Sequence, residues 1–257
     1  GAADSGNQLR LVALYPVDGS PRANGSIAAA GPVTVGSLAP DPNGGAYVGA
    51  SVAGATADLL VARFDAAASP AAGWPVALDA GGDEGDRWPV AGARVGADSG
   101  GVTVSGSAEL TACGVTRADA VLARFGPGGG ARVWSAREDS GGDTDFAAVA
   151  EDAAGNVVVG GAGSDDALLA KYDRSGALAW TREPRDPGGC ALGFGGLAYG
   201  GGVAYAALDA VNPANGTGAA RVAGYDAAGN QVYAALFDRI PDTVAGPLAA
   251  DGAGGVY

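Results

Sequence analysis

The sequence predicts an all-β fold made of one four-stranded repeat used about five times, and three observations predict it. A β pattern of seven to eight residues recurs along the chain, glycine turns stand at matching places in each copy, and the 257 residues include 47 glycines. Glycine at that level suits short strands joined by tight turns.

The pattern is plainest at 57–64 (ADLLVARF), 118–125 (ADAVLARF) and 165–172 (DDALLAKY), with a fainter copy at 219–225 (AARVAGY) and an earlier echo at 9–15 (LRLVALY). Most copies lead into a turn, at Asp18-Gly19, Gly128-Gly129, 173–176 or 226–229. The four later copies then reach a strand carrying Trp74, Trp134, Trp180 or Tyr233. That is a hairpin signature. A second hairpin precedes each, turning at 41–44, 98–100, 152–156 or 251–254 and entering a run of small β residues such as 102–106 or 157–161. The aromatics that end the third strands, Phe64, Phe125, Tyr172 and Tyr225, lie 61, 47 and 53 residues apart. Each repeat is therefore roughly fifty residues of four strands, the size of a propeller blade.

Whole repeats are expected at about 31–87, 88–146, 147–193 and 194–245. The sequence opens inside a repeat, with a third and fourth strand near 8–15 and 25–30, and stops inside another, after a first strand and part of a second at 247–257. Those halves are complementary. Residues 1–30 with 246–257 are expected to form a composite blade, strand 9–15 sharing a sheet with 254–257, so that 1–257 makes one closed β-propeller of about five four-stranded blades without an open edge. A window cut from a longer array is the competing reading.

Residues 152–160 (DAAGNVVVG) and 166–180 (DALLAKYDRSGALAW) carry almost in full the pattern D-x-x-G-N-x-x-V-x-G … D-A-x-L-A-K-Y-D-x-x-G-x-x-x-W. On them the chain resembles the bacterial secreted β-propeller repeats. Other repeats match in part: Gly126 replaces the turn aspartate in one, and the last lacks both the aspartate before its third strand and the tryptophan. The resemblance covers almost the whole chain and implies a fold and an exported, extracellular or cell-surface setting. It implies no activity.

Composition removes several function classes. The net charge of −13 repels phosphate backbones and anionic membranes, so nucleic acid is not an expected partner. Histidine is absent, which excludes a Ser-His-Asp triad, a Cys-His pair and any histidine-ligated zinc or haem. Lys171 is the only lysine. No apolar run approaches a membrane span and no leader precedes the first strand, so the chain reads as mature and soluble.

A residue present in every repeat is expected to hold the repeat together. Asp58, Asp119 and Asp166 recur before third strands, Arg63, Arg124 and Lys171 recur beside the aromatic, and the tryptophans cover apolar surface between sheets. The glycine-rich stretch 126–130 lacks the context of a phosphate loop. Residues that break the repeat are the better site candidates. Strand alternation gathers them on one face: irregular segments at 107–117 and 208–218, and acidic links at 79–88, 138–146 and 238–242.

Within those links Asp83, Glu84, Asp86, Asp143 and Asp145 form the candidate cation site, with calcium the ion their oxygens suit. No EF-hand spacing is present, and a solvated acidic loop is the competing reading. Paired carboxylates would also suit glycoside hydrolysis, yet no local motif isolates a pair and no catalytic residue is assigned. Asn24-Gly25-Ser26 and Asn215-Gly216-Thr217 match the glycosylation pattern and are read as turns. Cys113 and Cys190 depart from the repeat and lie on the same face of adjacent blades, so one disulfide between them is expected, with two buried thiols as the competing reading. The function expected is a non-enzymatic exported module, binding a protein or glycan at the bacterial cell surface or assembling outside the cell. A lectin-like propeller and a glycoside hydrolase are the rival classes.

Overall fold

The computed structural model describes residues 2–4, 7–14, 21–52, 58–78, 94–98, 100–112, 115–129, 131–139, 141–163, 166–185, 192–211, 218–237, 245–251 and 255–257. Among them are nineteen strands and no helix. The chain falls into two compact units, Gly1–Glu138 and Asp139–Tyr257.

The first unit holds three sheets. The N-terminal sheet is β1 (Ala2–Asp4), β2 (Gln8–Leu14) and β3 (Pro21–Ala28); the second is β4 (Val33–Pro40), β5 (Ala46–Val52), β6 (Asp58–Phe64) and β7 (Val76–Leu78). The third is β8 (Arg94–Asp98), β9 (Gly101–Ala112), β10 (Val115–Phe125) and β11 (Arg132–Glu138). The second unit holds the fourth sheet, β12 (Thr144–Glu151), β13 (Val157–Gly163), β14 (Asp166–Tyr172) and β15 (Leu178–Arg182), and the fifth, β16 (Gly193–Gly200), β17 (Val203–Val211), β18 (Gly218–Tyr225) and β19 (Gln231–Phe237). Each sheet is an antiparallel meander in chain order.

Alternation along one strand shows how the sheets stack. In β6, Leu59 and Val61 join Val95, Val104 and Phe125 of the third sheet in one core, whereas Leu60, Ala62 and Phe64 join Leu9, Leu11 and Ile27 of the N-terminal sheet in another. Both faces of the strand are buried, which is why it reads as a nearly continuous apolar run. In the second unit Val158, Leu169 and Trp180 meet Ala206, Leu208 and Tyr225 in the same way.

Two local devices recur. The third and fourth strands slip register by one residue at Ala13/Leu14, Arg124/Phe125, Lys171/Tyr172 and Gly224/Tyr225. This bulge sets Trp134, Trp180 and Tyr233 opposite Arg124, Lys171 and Gly224. The turn that follows is a five-residue loop headed by aspartate. At Asp226 the N–H donates to Asn230 O at 2.9 Å, Gly229 N–H donates back to Asp226 O at 3.0 Å, and Oδ1 accepts the N–H groups of Ala228 and Asn230. Gly229 sits at φ +81°, and a Cβ there would lie 2.9 Å from the Trp180 ring of the preceding sheet. Trp180 Nε1 donates to Ala227 O at 3.2 Å and Arg182 Nε to Gly229 O at 2.7 Å, so the turn is clasped by the neighbouring sheet. The second and third sheets meet similarly, with Gly129 against Trp74.

Two expectations are corrected. Residues 107–112 and 115–117 are not irregular: they belong to β9 and β10, which pair without interruption from Phe125↔Val102 to Val115↔Ala112. Residues 208–211 and 218 likewise belong to strands. Asn24-Gly25-Ser26 is no turn; it lies inside β3, where Gly25 is required because a Cβ would overlap the Ala68 carbonyl oxygen. Beside β2 stands β1, with Ala2, Ala3 and Asp4 opposite Leu11, Arg10 and Leu9. The turn Asp18-Gly19 lies outside the described residues.

The third sheet tests what the turn aspartate contributes. Gly126 heads that turn, its N–H reaches Ala131 O at 3.3 Å, and Gly129 N–H reaches Gly126 O at 3.3 Å, against 2.9 Å for both bonds in the Asp152 turn. A Cβ on Gly126 would meet only Val133 Cγ2 at 3.9 Å. Gly126→Asp is therefore expected to stabilise by roughly 0.5–1 kcal/mol, through a carboxylate acceptor and a less flexible unfolded chain. The measurement is the thermal midpoint; no rise would mean that the aspartate does not organise these turns.

Candidate functional site

Among the described residues the buried basic side chains, Arg124 and Lys171, stand one residue before the ends of third strands, and Arg63 stands at the same place. In the second sheet Arg63 donates Nε and Nη2 to Asp41 Oδ2 at 2.7 and 2.6 Å, donates Nη1 to Pro127 O at 2.9 Å, and stands 5.7 Å from the centre of the Tyr47 ring. Asp41 heads the first-to-second turn. In the fourth sheet Lys171 occupies the place of Arg63 and Asp152 that of Asp41, with Nζ 3.6 Å from Oδ2 and 5.9 Å from the Tyr199 ring centre. Lys171 is only 5% exposed and Asp152 9%. In the third sheet buried Arg124 donates to Thr103 Oγ1 at 3.2 Å, across the strand pair.

The fifth sheet lacks both members of the pair. Its first-to-second turn is the two-residue loop Gly201-Gly202 between Gly200 and Val203, and Gly224 stands where Lys171 does. Tyr205, opposite Gly224, covers the vacated place: a Cβ on Gly224 would lie 3.2 Å from its Cε1.

Other acidic groups also serve the fold. Arg137 Nε donates to Asp119 Oδ2 at 2.6 Å, Arg185 Nη2 lies 2.6 Å from Asp166 Oδ2, and Asp209 Oδ1 accepts the Ala245 N–H at 2.5 Å. Of the candidate cation ligands, Asp145 lies in β12 with Oδ1 accepting the Ala162 N–H at 2.9 Å, and Asp143 is half-buried just before that strand. Asp83, Glu84 and Asp86 lie outside the described residues, as do Cys113 and Cys190. Among the described residues no three acidic or sulfur ligands come together as a metal would need.

Hydrogen bonding fixes the protonation of the turns. Burial would raise the Asp152 pKa, but the Asn156 side chain, the N–H groups of Asn156 and Ala154, and Lys171 together hold it below the ordinary value of 3.8. Asp173 is lowered by the Ser175 hydroxyl and the N–H of Ala177, and Asp226 by the N–H and side chain of Asn230. Ionised carboxylates with several donors have no proton to give near neutral pH, so these groups are unsuited to general-acid work. The Tyr199 phenol is pushed up by burial and by the Asp152 charge.

Trp74, Trp134 and Trp180 are 8%, 8% and 7% exposed, so they offer no stacking platform to a sugar. What sequence reasoning missed is the outer strand of the fifth sheet. Val232, Tyr233, Leu236 and Phe237 of β19 are 56%, 43%, 57% and 53% exposed. The signal was present, since the matching strand β11 reads RVWSARE and β19 reads QVYAALF, with no charge.

No family model and no curated protein matches the chain. Among solved structures it is similar to a luciferin-regenerating enzyme, at 13% identity and a TM-score of 0.40, over 95% of this chain and 75% of that one. It is also similar to a prolyl endopeptidase, at 12% identity and a TM-score of 0.40, over 98% of this chain and 44% of that one, and so spans less than half of that protein. Overlap at this level assigns neither a fold nor an activity.

Two outcomes test the charge assignments. Asp152→Ala removes the turn acceptor and leaves buried Lys171 without its carboxylate, an expected loss of about 3 kcal/mol, whereas Lys171→Met leaves the turn intact and is expected to cost about 1 kcal/mol or less. Urea denaturation of both variants checks the order, and equal losses would show that the ion pair, not the turn, carries the energy.

The pH dependence follows from the lowered pKa values of Asp152, Asp173 and Asp226. A carboxyl group whose folded pKa lies below its unfolded pKa contributes stability that is present above about pH 4 and lost as pH falls through the folded value. The thermal midpoint is expected to hold from pH 7 to 5 and to drop below 4, with a shallower drop in Asp173→Asn/Asp226→Asn. An identical acid profile in that variant would remove these turns as the cause.

Proposed function

We propose that this protein is an exported, closed β-propeller of five blades that works without catalysis, as a binding or structural module at a bacterial cell surface or in an extracellular assembly. Its partner is a protein or a glycan. One observation carries the reading: Asp41, Asp119, Asp145, Asp152, Asp166 and Asp209 are each engaged by a guanidinium, an ammonium or a backbone N–H of the fold. A glycosidase would need two carboxyl groups free to face a substrate.

Ring closure is supported by the uniform meander of the sheets and by the repeated clasp between fourth-strand aromatic and following turn. Tyr233 stands at the place of Trp180 and is 43% exposed, as expected of an aromatic whose covering turn belongs to a further blade. Calcium in the acidic links, self-assembly, and the Cys113–Cys190 disulfide fit the extracellular setting and remain parts of this proposal.

The test joins a glycan array to a hydrolysis screen on aryl glycosides, using purified protein. No turnover is expected. Hydrolysis that disappears in Asp145→Asn would overturn the non-enzymatic reading, and saturable binding of one glycan at several sites per chain would move the protein to the lectin class.

A further inference from the structure

Each sheet ends on the last of its strands in the chain, and in four of the five sheets that strand is guarded against pairing with another chain. β3 opens on Pro21 and carries Arg22, β7 is three residues long, β11 carries Arg132, Arg137 and Glu138, and β15 ends on Arg182. Proline, charge and shortness are the ordinary means of blunting a sheet edge. β19 reads QVYAALF and has none of them over its seven residues. It is bonded to β18 on one side, and among the described residues no strand pairs with its other side. Strand alternation exposes large apolar side chains on both faces, Val232 and Leu236 on one, Tyr233 and Phe237 on the other.

An open backbone edge with apolar side chains on both faces takes an extended strand as its partner. The residues of β19 say which one. Two copies of one edge that meet about a two-fold axis run antiparallel and are self-complementary. With the axis at Ala234, Val232 of each copy stands opposite Leu236 of the other, and Tyr233 stands opposite Ala235. Branched side chains then meet branched ones, a large ring meets a methyl group, and no charge is buried or set against its like. A second copy therefore brings the neutral strand that this edge fits. The net charge of −13 opposes that approach at long range only, and salt screens it.

We propose that β19 is a self-association edge, at which two copies of this chain pair their β19 strands antiparallel and join their four-stranded sheets into one continuous sheet. This gives the self-assembly named above a surface and a partner, and it rests on that reading. Pairing uses the backbone edge, so the face that bears Tyr233 stays open to the further blade that the ring requires. One strand pair is small beside the roughly 1,200–2,000 Å² of a stable interface, so the dimer is reversible and forms as protein concentration rises.

Sedimentation equilibrium of the purified full chain is expected to show exchange between monomer and dimer. The dimer should tighten several-fold as salt rises from about 0.01 M to about 0.15 M and the screening length falls from about 30 Å to about 8 Å. Amide hydrogen exchange is expected to slow in β19 as the dimer forms, and not in β11. Ala234→Lys sets two ammonium groups face to face on the axis and is expected to hold the chain monomeric. Val232→Lys/Leu236→Glu sets each lysine opposite a glutamate of the other copy, so its dimer is expected to persist and to be loosened by salt, a reversal that structural damage would not produce. Circular dichroism checks folding; should Ala234→Lys not fold, the double variant and hydrogen exchange in the unaltered protein decide. A dimer that Ala234→Lys leaves intact, with β19 exchanging as in the monomer, would overturn the pairing and leave self-assembly standing. A chain that stays monomeric throughout would overturn both, fast exchange in β19 leaving the edge to a different protein and slow exchange leaving it to a segment of the same chain.

Discussion

A strand packed between two sheets has no side on which to put a charge, and most of this structure follows from that constraint. β6 sends Leu59 and Val61 into one core and Leu60, Ala62 and Phe64 into another. Polar contacts are thereby driven to strand ends and turns, where the backbone supplies donors. The aspartate-headed turns are the result: at Asp152 and Asp226 one carboxylate oxygen accepts two N–H groups of its own loop and the other accepts an asparagine side chain. Several donors on one carboxylate hold it ionised and hold the loop rigid, and the rigid loop then presents Gly229 to the Trp180 ring.

The same constraint explains why charge pairs come and go together. Removing the carboxylate of such a pair leaves the buried cation uncompensated, a cost of about 3–5 kcal/mol, while replacing both by well-packed neutral groups is close to neutral. Asp41 with Arg63 and Asp152 with Lys171 retain both partners; the fifth sheet has Gly201 and Gly224 and fills the space with Tyr205. Loss of the carboxylate alone cannot connect those two states without leaving an unpaired buried cation. Size behaves likewise at the junctions. Where Trp180 meets Gly229, the N-terminal sheet has Ala23 and the second sheet has Ala68, an alanine held at φ 59° with its methyl buried.

The repeat was legible in the sequence because it is written in local terms: alternation buried on both faces, a glycine at a fixed distance after an aspartate, an aromatic beyond the turn. Contacts between distant residues were not. Arg63 was visible as a recurring cation, but its partner Asp41 lies 22 residues earlier, and only the fold shows that a first-to-second turn ends beside the third strand. Asp145 read as a ligand because acids crowd its link; its use, accepting the Ala162 N–H across a strand pair, depends on a register that composition does not reveal. Residues 107–117 read as irregular because they depart from the repeat. Departure from a repeat and departure from regular structure are different things, and here the strands simply run on.

Edge protection is where the fifth sheet departs furthest from its neighbours. Outer strands are ordinarily guarded by charges that make pairing with another chain costly, and β11 follows that rule with Arg132, Arg137 and Glu138. β19 carries no charge over its seven residues. Approach of a second copy is then opposed by the net charge of −13 spread over the molecule, a repulsion that salt screens beyond about 8 Å at physiological ionic strength. A charge on the strand itself would act at contact, where screening is weak and burial is expensive. β19 is thus left with long-range protection and none at contact, an arrangement that suits a strand with a partner of its own better than one meant to stay bare.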